Sequence, residues 1–400
     1  MPSHCNTTPE RKPFTCFLAL YCLASAVFAV PYVPASDDQV LETLPQTVAS
    51  LRPDLRNLRA ALAADPKQPG PAVKLAREYV ELGKAEADPR YYGYAQGLLQ
   101  PWWQSKDPPS DVLLLRALIL QNRHEFDGAL QDLDKLLQRQ PDRSEAWLAR
   151  AVILLVQARY PEAQQSCAAL INFDDTLLAA TCLSQVGSLM GHGLESYRFL
   201  TESLHEAKAI SPEQRQWTLT VLAEMAARLD KNEEADRYFI EALHIRRPTA
   251  YLLGAYADFL LDRNRAEEVV ELLAGHIRID ALLLRLALAK QQLAAGDLPE
   301  LINTLQARFA AGRLRQENLH QGDEARFALH LLKQPDKALK LAQANWRLQK
   351  EPKDARILLE ASIAANEPNA AEPVLELLRQ TGMEHAQLKR LADRLKNIKG

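Results

Sequence analysis

Apolar positions in the middle of the chain recur at helical spacing, in short runs separated by polar breaks. The segments 121–142 (QNRHEFDGALQDLDKLLQRQPD), 156–175 (VQARYPEAQQSCAALINFDD) and 229–248 (LDKNEEADRYFIEALHIRRP) share one plan: polar break, alanine, one apolar helical face, second break. This is the period of amphipathic helices, not the alternation of strands. Ala129, Ala163 and Ala235 occupy one slot, and Val269 is next in phase, with separations of 34, 72 and 34. A second file, Ala117, Ala151, Ala223 and Ala257, keeps the same separations. Two files in step predict helical hairpins repeating every 34 residues, with one unit lengthened by four residues around 190–196 (MGHGLES).

The alanines have a packing reason. Two antiparallel helices leave little room at their closest approach, where alanine fits and leucine would force the axes apart. Leu120, Leu133, Leu154, Leu170, Phe239 and Leu260 fill the flanking holes. Pro141, Pro212 and Pro248 fall where a second helix must stop, and Asp127, Asn232 and Asn264 are placed to cap second helices. Gly187, Gly191 and Gly193 weaken regular helix around 187–196 and mark a bend.

These residues carry a resemblance. Trp147, Ala151, Leu154, Ala163 and Leu170, with Tyr160 in the turn, match the large-small-large sequence of the tetratricopeptide repeat, and 111–143 matches almost as well. Units 215–248 and 249–281 follow the pattern more loosely. Segments 178–214, 282–316, 317–353 and 354–385 are degenerate. In domain terms, 70–109 reads as a divergent first repeat, 110–281 as the repeat array, and 282–400 as degenerate repeats with a C-terminal helix. The resemblance implies an all-α fold, a right-handed α-solenoid of antiparallel helix pairs, whose first helices line a concave groove that binds a protein or peptide. Mapped onto this chain, that groove takes Trp217 and Tyr251 in one column, expected to lie one above the other, Glu224 and Asp258 in the next, and Arg228 with Asp262 one turn on. Trp217, Tyr251, Glu224, Asp258 and Arg228 are therefore the candidate partner-binding residues, since aromatics and arginine supply most anchor energy in interfaces. The competing reading packs the aromatics between helices and leaves the charges solvated.

Residues 1–29 read differently. Arg11 and Lys12 precede an uncharged apolar run, FTCFLALYCLASAVF, and small residues follow it, with Val27 and Ala29 at −3 and −1 of a cut before Val30. This is the layout of a secretory signal peptide, with an uncleaved anchor as the alternative, and it places the protein in the periplasm. Residues 30–69 form a proline-rich lead-in followed by starter helices. Cys167 and Cys182 fall on consecutive helices across a repeat boundary, where they form either a disulfide or two small packed side chains.

Composition adds exclusions. Hydrophobic residues make up 47% and charged residues 25%, as in an ordinary folded protein. Fifteen glycines and 6% aromatics are too few for an all-β chain. A net charge of −3 offers no broad attraction to nucleic acid. The nine histidines show no HxxxH or HExxH spacing, and there is no CxxC, phosphate-binding glycine loop or GxSxG elbow. No cofactor or metal is expected, and no catalysis. Glu233–Glu234 and Glu267–Glu268 suit the first turn of second helices, where the helix dipole favours negative charge. The aromatic stretch at Arg90-Tyr91-Tyr92-Gly93-Tyr94 and Pro101-Trp102-Trp103 is read as a cap over the exposed end of the core, with a docking or sugar-stacking patch as the alternative. The reading that results is a non-catalytic exported scaffold. Its alternatives are an accessory or chaperone-like factor of envelope assembly or secretion and, less favoured, an enzyme with a dispersed site.

Overall fold

The computed structural model describes residues 36, 53–65, 68–173, 175–314 and 321–399. The leader and the proline-rich part of the lead-in lie outside the described residues. All the helices described below belong to the unit Pro53–Gly400. Among the described residues there are twenty-one α-helices and no strand.

After a starter helix α1 (Pro53–Ala64), the chain folds as nine consecutive helical hairpins. These are α2 (Pro69–Glu86) with α3 (Pro89–Leu98); α5 (Ser110–Asn122) with α6 (Phe126–Arg139); α7 (Ser144–Val156) with α8 (Tyr160–Ala169); α9 (Thr176–Leu189) with α10 (Gly193–Glu206); α11 (Pro212–Arg228) with α12 (Asn232–Ile245); α13 (Ala250–Leu261) with α14 (Ala266–Leu273); α15 (Asp280–Gln292) with α16 (Leu298–Leu314); α17 (Gln321–His330) with α18 (Pro335–Trp346); and α19 (Pro352–Ala364) with α20 (Glu372–Thr381). A short α4 (Gln100–Trp103) links the first two hairpins, and α21 (Ala386–Lys399) ends the row. The degenerate segments fold as the same hairpins as the well-matched ones.

Both alanine files are buried in the interior of the row. Ala117, Ala151, Ala223, Ala257, Ala129, Ala163, Ala235 and Val269 are all fully buried. Where a larger side chain takes the slot, the facing residue shrinks. Tyr92 stands in the alanine position of α3, and a Cβ on Gly83 of α2 would meet its ring at 2.7 Å. Ser196 takes the slot in α10, and a Cβ on Gly187 of α9 would lie 2.6 Å from its hydroxyl.

The turns inside the hairpins are closed by backbone. His124, Ala158, Gly191, Asp230, Asn264, Ala294 and Asn366 all have left-handed φ. In each case the next N–H donates to a carbonyl five residues back, for example Arg159 to Leu154 at 2.8 Å and Lys231 to Ala226 at 2.9 Å, the hydrogen bond of a Schellman C-cap. The expected caps at Asp127, Asn232 and Asn264 are not made: α6, α12 and α14 lack a side-chain cap hydrogen bond. Side-chain caps instead open first helices, from Asp175 on α9, Ser211 on α11 and Thr249 on α13. Pro212 starts α11 rather than stopping α10.

The four extra residues are not around 190–196, where the chain makes a tight turn through Gly191 (φ +81°). They are one added turn of first helix, since α11 has seventeen residues against thirteen in α5 and α7. The α9–α10 glycines thus serve a close crossing and a turn without breaking the hairpin.

Cys167 and Cys182 form a disulfide between α8 and α9, with Cα atoms 5.4 Å apart. Tyr91 and Tyr92 are buried, and Trp102 and Trp103 pack half-buried against the core of the first hairpin. Tyr92, Trp102 and Trp103 pack with Val112, Leu115 and Ile119 of the next hairpin; Tyr94 stands out, 55% exposed. Both glutamate pairs lie in the first turns of α12 and α14.

Candidate functional site

First helices line a groove of about 820 Å³. Its walls run from Gly83 and Tyr92 of the first hairpin, through Glu224, Arg228, Tyr251 and Asp258, to Arg326, Arg356, His385 and Arg390 near the C-terminus. Charged groups of both signs dominate, and most are already engaged with one another.

Tyr251 on α13 is the exposed aromatic of the groove, 52% accessible. Its hydroxyl donates to Glu224 Oε1 on α11 at 2.7 Å. Burial raises the Glu224 pKa, against the pull of Arg228 and the tyrosine hydroxyl. At the hydroxyl end, set against Glu224, desolvation and then the Glu224 charge hold the Tyr251 phenol well above its usual value, while half of the side chain stays accessible. One turn along α11, Arg228 donates to Ser188 Oγ at 2.9 Å, and burial lowers its pKa.

Asp258 accepts from two guanidinium groups, Arg285 of α15 and Arg326 of α17, each at 2.6 Å. Burial alone would push its pKa up, but the two arginines prevail and hold it well below the carboxylate range. Asp262 takes a two-pronged contact from Arg356 of α19 at 2.7 and 2.8 Å. Arg356 also reaches Glu360 at 2.7 Å, and His330 Nε2 lies 2.9 Å from the same carboxylate. Burial opposes ionisation of Glu360, yet the His330 and Arg356 contacts bring its pKa down to about 2. Further on, Asp354 accepts from Asn345 Nδ2 at 2.8 Å, and its pKa is raised by burial to about 6.

Four of the five candidate residues, Tyr251, Glu224, Asp258 and Arg228, line the groove together. Trp217 does not. It packs half-buried between the two largest apolar clusters and does not stack on Tyr251. The candidate charges are not simply solvated either: Glu224, Asp258 and Arg228 are held by hydrogen bonds or ion pairs from neighbouring hairpins.

Sequence reasoning missed Arg285, Arg326, Arg356 and Glu360. One signal was present. Arg285 is the single charge inside the apolar run ALLLRLALA (281–289), a position that a buried cation occupies only with a partner. Among the described residues no cluster of His, Cys, Asp or Glu could hold a metal, and no helix is long and apolar enough to cross a membrane.

The geometry defines a class: a tetratricopeptide-like α-solenoid whose groove carries largely self-paired charges. No family model and no curated protein matches the chain. Solved structures that it resembles include the APC/C hetero-tetramer Cut9-Hcn1, with 13% identity over 89% of this chain and 78% of that one and a TM-score of 0.44. A tetratricopeptide repeat protein from Parabacteroides merdae aligns at 12% identity over 72% of this chain and 99% of that one, TM-score 0.30. Yeast Tom70 aligns at 13% identity over 86% of this chain and 92% of that one, TM-score 0.29. The class rests on the hairpins and their 34-residue phase, not on these superpositions.

Proposed function

We propose that the protein is a non-catalytic scaffold that captures an extended segment of a partner protein in the groove, with Tyr251 as the aromatic anchor. The observation that carries this reading is the half-exposed Tyr251 ring, held in place by Glu224 at the middle of a groove of about 820 Å³. A preordered aromatic loses little freedom on binding, which favours it as an anchor. The lining carries charges of both signs in near balance beside apolar surface, so it suits a mixed peptide better than a polyanion. Nucleic acid is disfavoured by the chain's net charge of −3.

The compartment belongs to the same proposal. The apolar leader favours export, and the Cys167–Cys182 bridge favours an oxidising space, which in this reading is the periplasm. A chaperone-like factor of envelope assembly would use the same groove on an unfolded client. The test places a photo-crosslinking amino acid in cells at Ala255, which lines the groove with Tyr251, and in parallel at Gln131, exposed on a second helix. The expected result is a discrete adduct with an extended segment of an envelope protein from position 255, lost when Tyr251 is replaced by Ala. Crosslinks from position 131 with none from position 255 would reject the reading.

A further inference from the structure

The C-terminal strip, residues 349–390, touches the turn region of five successive hairpins. Gln349 Nε2 donates to His124 Nε2 at 2.9 Å, in the α5–α6 turn. Lys350 N–H donates to Val156 C=O at 2.7 Å, at the end of α7. Glu384 Oε2 accepts from Leu194 N–H at 2.9 Å, at the start of α10. Arg390 pairs with Asp230 in the α11–α12 turn at 3.0 Å, and Arg356 pairs with Asp262 at the end of α13. Next to these, a Cβ on Gly191 would meet the backbone oxygens of Thr381 and Gly382 at 3.0 and 3.2 Å.

This seam differs in kind from the rest of the fold. Neighbouring hairpins meet through buried alanines, leucines and phenylalanines. The seam is polar apart from Leu377 and Met383, which pack partly buried against the second apolar cluster. The Arg390–Asp230 side chains are 61% and 52% exposed, a setting in which an ion pair is weak and salt-screened. The same strip also supplies a wall of the groove, through Glu351, Lys353, Arg356, Glu360, His385 and Arg390.

We infer that residues 349–390, which stay packed on α17 and α18 through Leu358, Leu359 and Val374, form an intramolecular latch that closes the groove over Tyr251 and must swing away together with that hairpin for a partner segment to enter from the side. The inference rests on the groove being the binding face. Hydrophobic packing maintains the hairpins, whereas a polar seam maintains closure, so the two respond differently to salt. A protein with such a seam populates a minor open state, and a partner that binds only the open state draws the population over.

Two amides report closure directly. Leu194 N–H lies in the first turn of α10 and Lys350 N–H precedes α19, so neither has an acceptor within its own helix; both donate only across the seam. Residue-resolved hydrogen exchange on the full chain, without partner, is the experiment. Arg390→Glu is expected to speed exchange at Leu194 and Lys350 about tenfold, and the swap Arg390→Glu with Asp230→Arg is expected to restore it. Gly193→Val gives a second variant that touches no ion pair, because a Cβ there meets Glu384 Oε2 at 2.5 Å. About 1 M salt, where the Debye length is about 3 Å, should act on wild type as the variants do. Interior amides of α11 and α13 should stay protected throughout. Unchanged exchange at both reporters in every variant and in salt would overturn the latch, as would loss of protection at the reporters only together with α11 and α13. Because no partner is present, the outcome is independent of whether capture at position 255 succeeds.

Discussion

The Tyr251 hydroxyl, on the first helix of one hairpin, donates to Glu224 on the first helix of the hairpin before it, at 2.7 Å. The bond fixes the ring across a hairpin boundary while leaving half of its surface accessible. Tyr251→Ala should therefore weaken partner capture by about 2 kcal/mol, roughly thirtyfold in Kd, with the far-ultraviolet circular dichroism unchanged. Tyr251→Phe should retain most of the affinity. A Tyr251→Ala protein that loses helicity would make the ring structural.

Asp258 answers two arginines, so its removal is asymmetric. Asp258→Asn leaves Arg285 and Arg326 facing each other with only Asp323, 3.8 Å from Arg285, as a counter-charge. The expected cost is about 3 kcal/mol, read as a drop in the denaturant midpoint. Arg326→Gln should cost less, because Arg285 still pairs with Asp258.

The crossing of α2 and α3 gives a coupled prediction. Gly83→Ala improves helix propensity by about 1 kcal/mol in an unhindered site, but here the new methyl runs into the Tyr92 ring at 2.7 Å. The substitution should destabilise the first hairpin by about 1–3 kcal/mol. Gly83→Ala with Tyr92→Leu should recover most of that loss, a non-additivity that a double-mutant cycle measures.

The bridge between α8 and α9 closes a loop with a sequence separation of 15 residues. Replacing both Cys167 and Cys182 by Ser should lower stability by about 3 kcal/mol. Native protein lacking residues 1–29, and with them Cys5, Cys16 and Cys22, should show no free thiol by Ellman titration under denaturing, non-reducing conditions. Two free thiols there would mean the cysteines are packed but unbridged.

Acid should weaken the C-terminal end in two stages. His385 is held down to about pKa 3, first by burial and then by Arg228, Arg356 and Arg390. The folded state resists protonating it, so its contribution is present at neutral pH and is lost as pH falls below about 6.5. The Glu360 pKa is lowered from 4.5 to about 2, so its contribution is present above about 4.5 and falls away toward pH 2, with a total of about 3 kcal/mol. His385→Gln should flatten the first stage of a stability–pH curve and leave the second intact.

Much of this fold was legible in the residues. The alanine files expose the repeat because steric exclusion at a crossing constrains residue size so strongly, and all eight of their members are buried. The turns were not legible, since main-chain bonds close them and residues as unlike as His124, Ala158 and Asn366 serve. Beyond Asn264 the turn residues fall 30, 39 and 33 apart, which blurred the phase and hid Arg326, Arg356 and Glu360 from the groove column. Trp217 shared that column with Tyr251 by number. The added turn of α11 puts it near the start of a longer helix, where it meets two apolar clusters rather than open space. The seam joins positions from 94 residues apart, Arg356 and Asp262, to 225 apart, Gln349 and His124, and no local pattern encodes it.

The covalent tie between α8 and α9 also has a mechanical side. A row of hairpins joined end to end yields one hairpin at a time under tension, and each of about 34 residues releases roughly 120 Å of chain. Since the tie spans the boundary between the third and fourth of the nine hairpins, the residues between the sulfurs cannot pay out. That stretch would act as an inextensible link in an otherwise compliant spring.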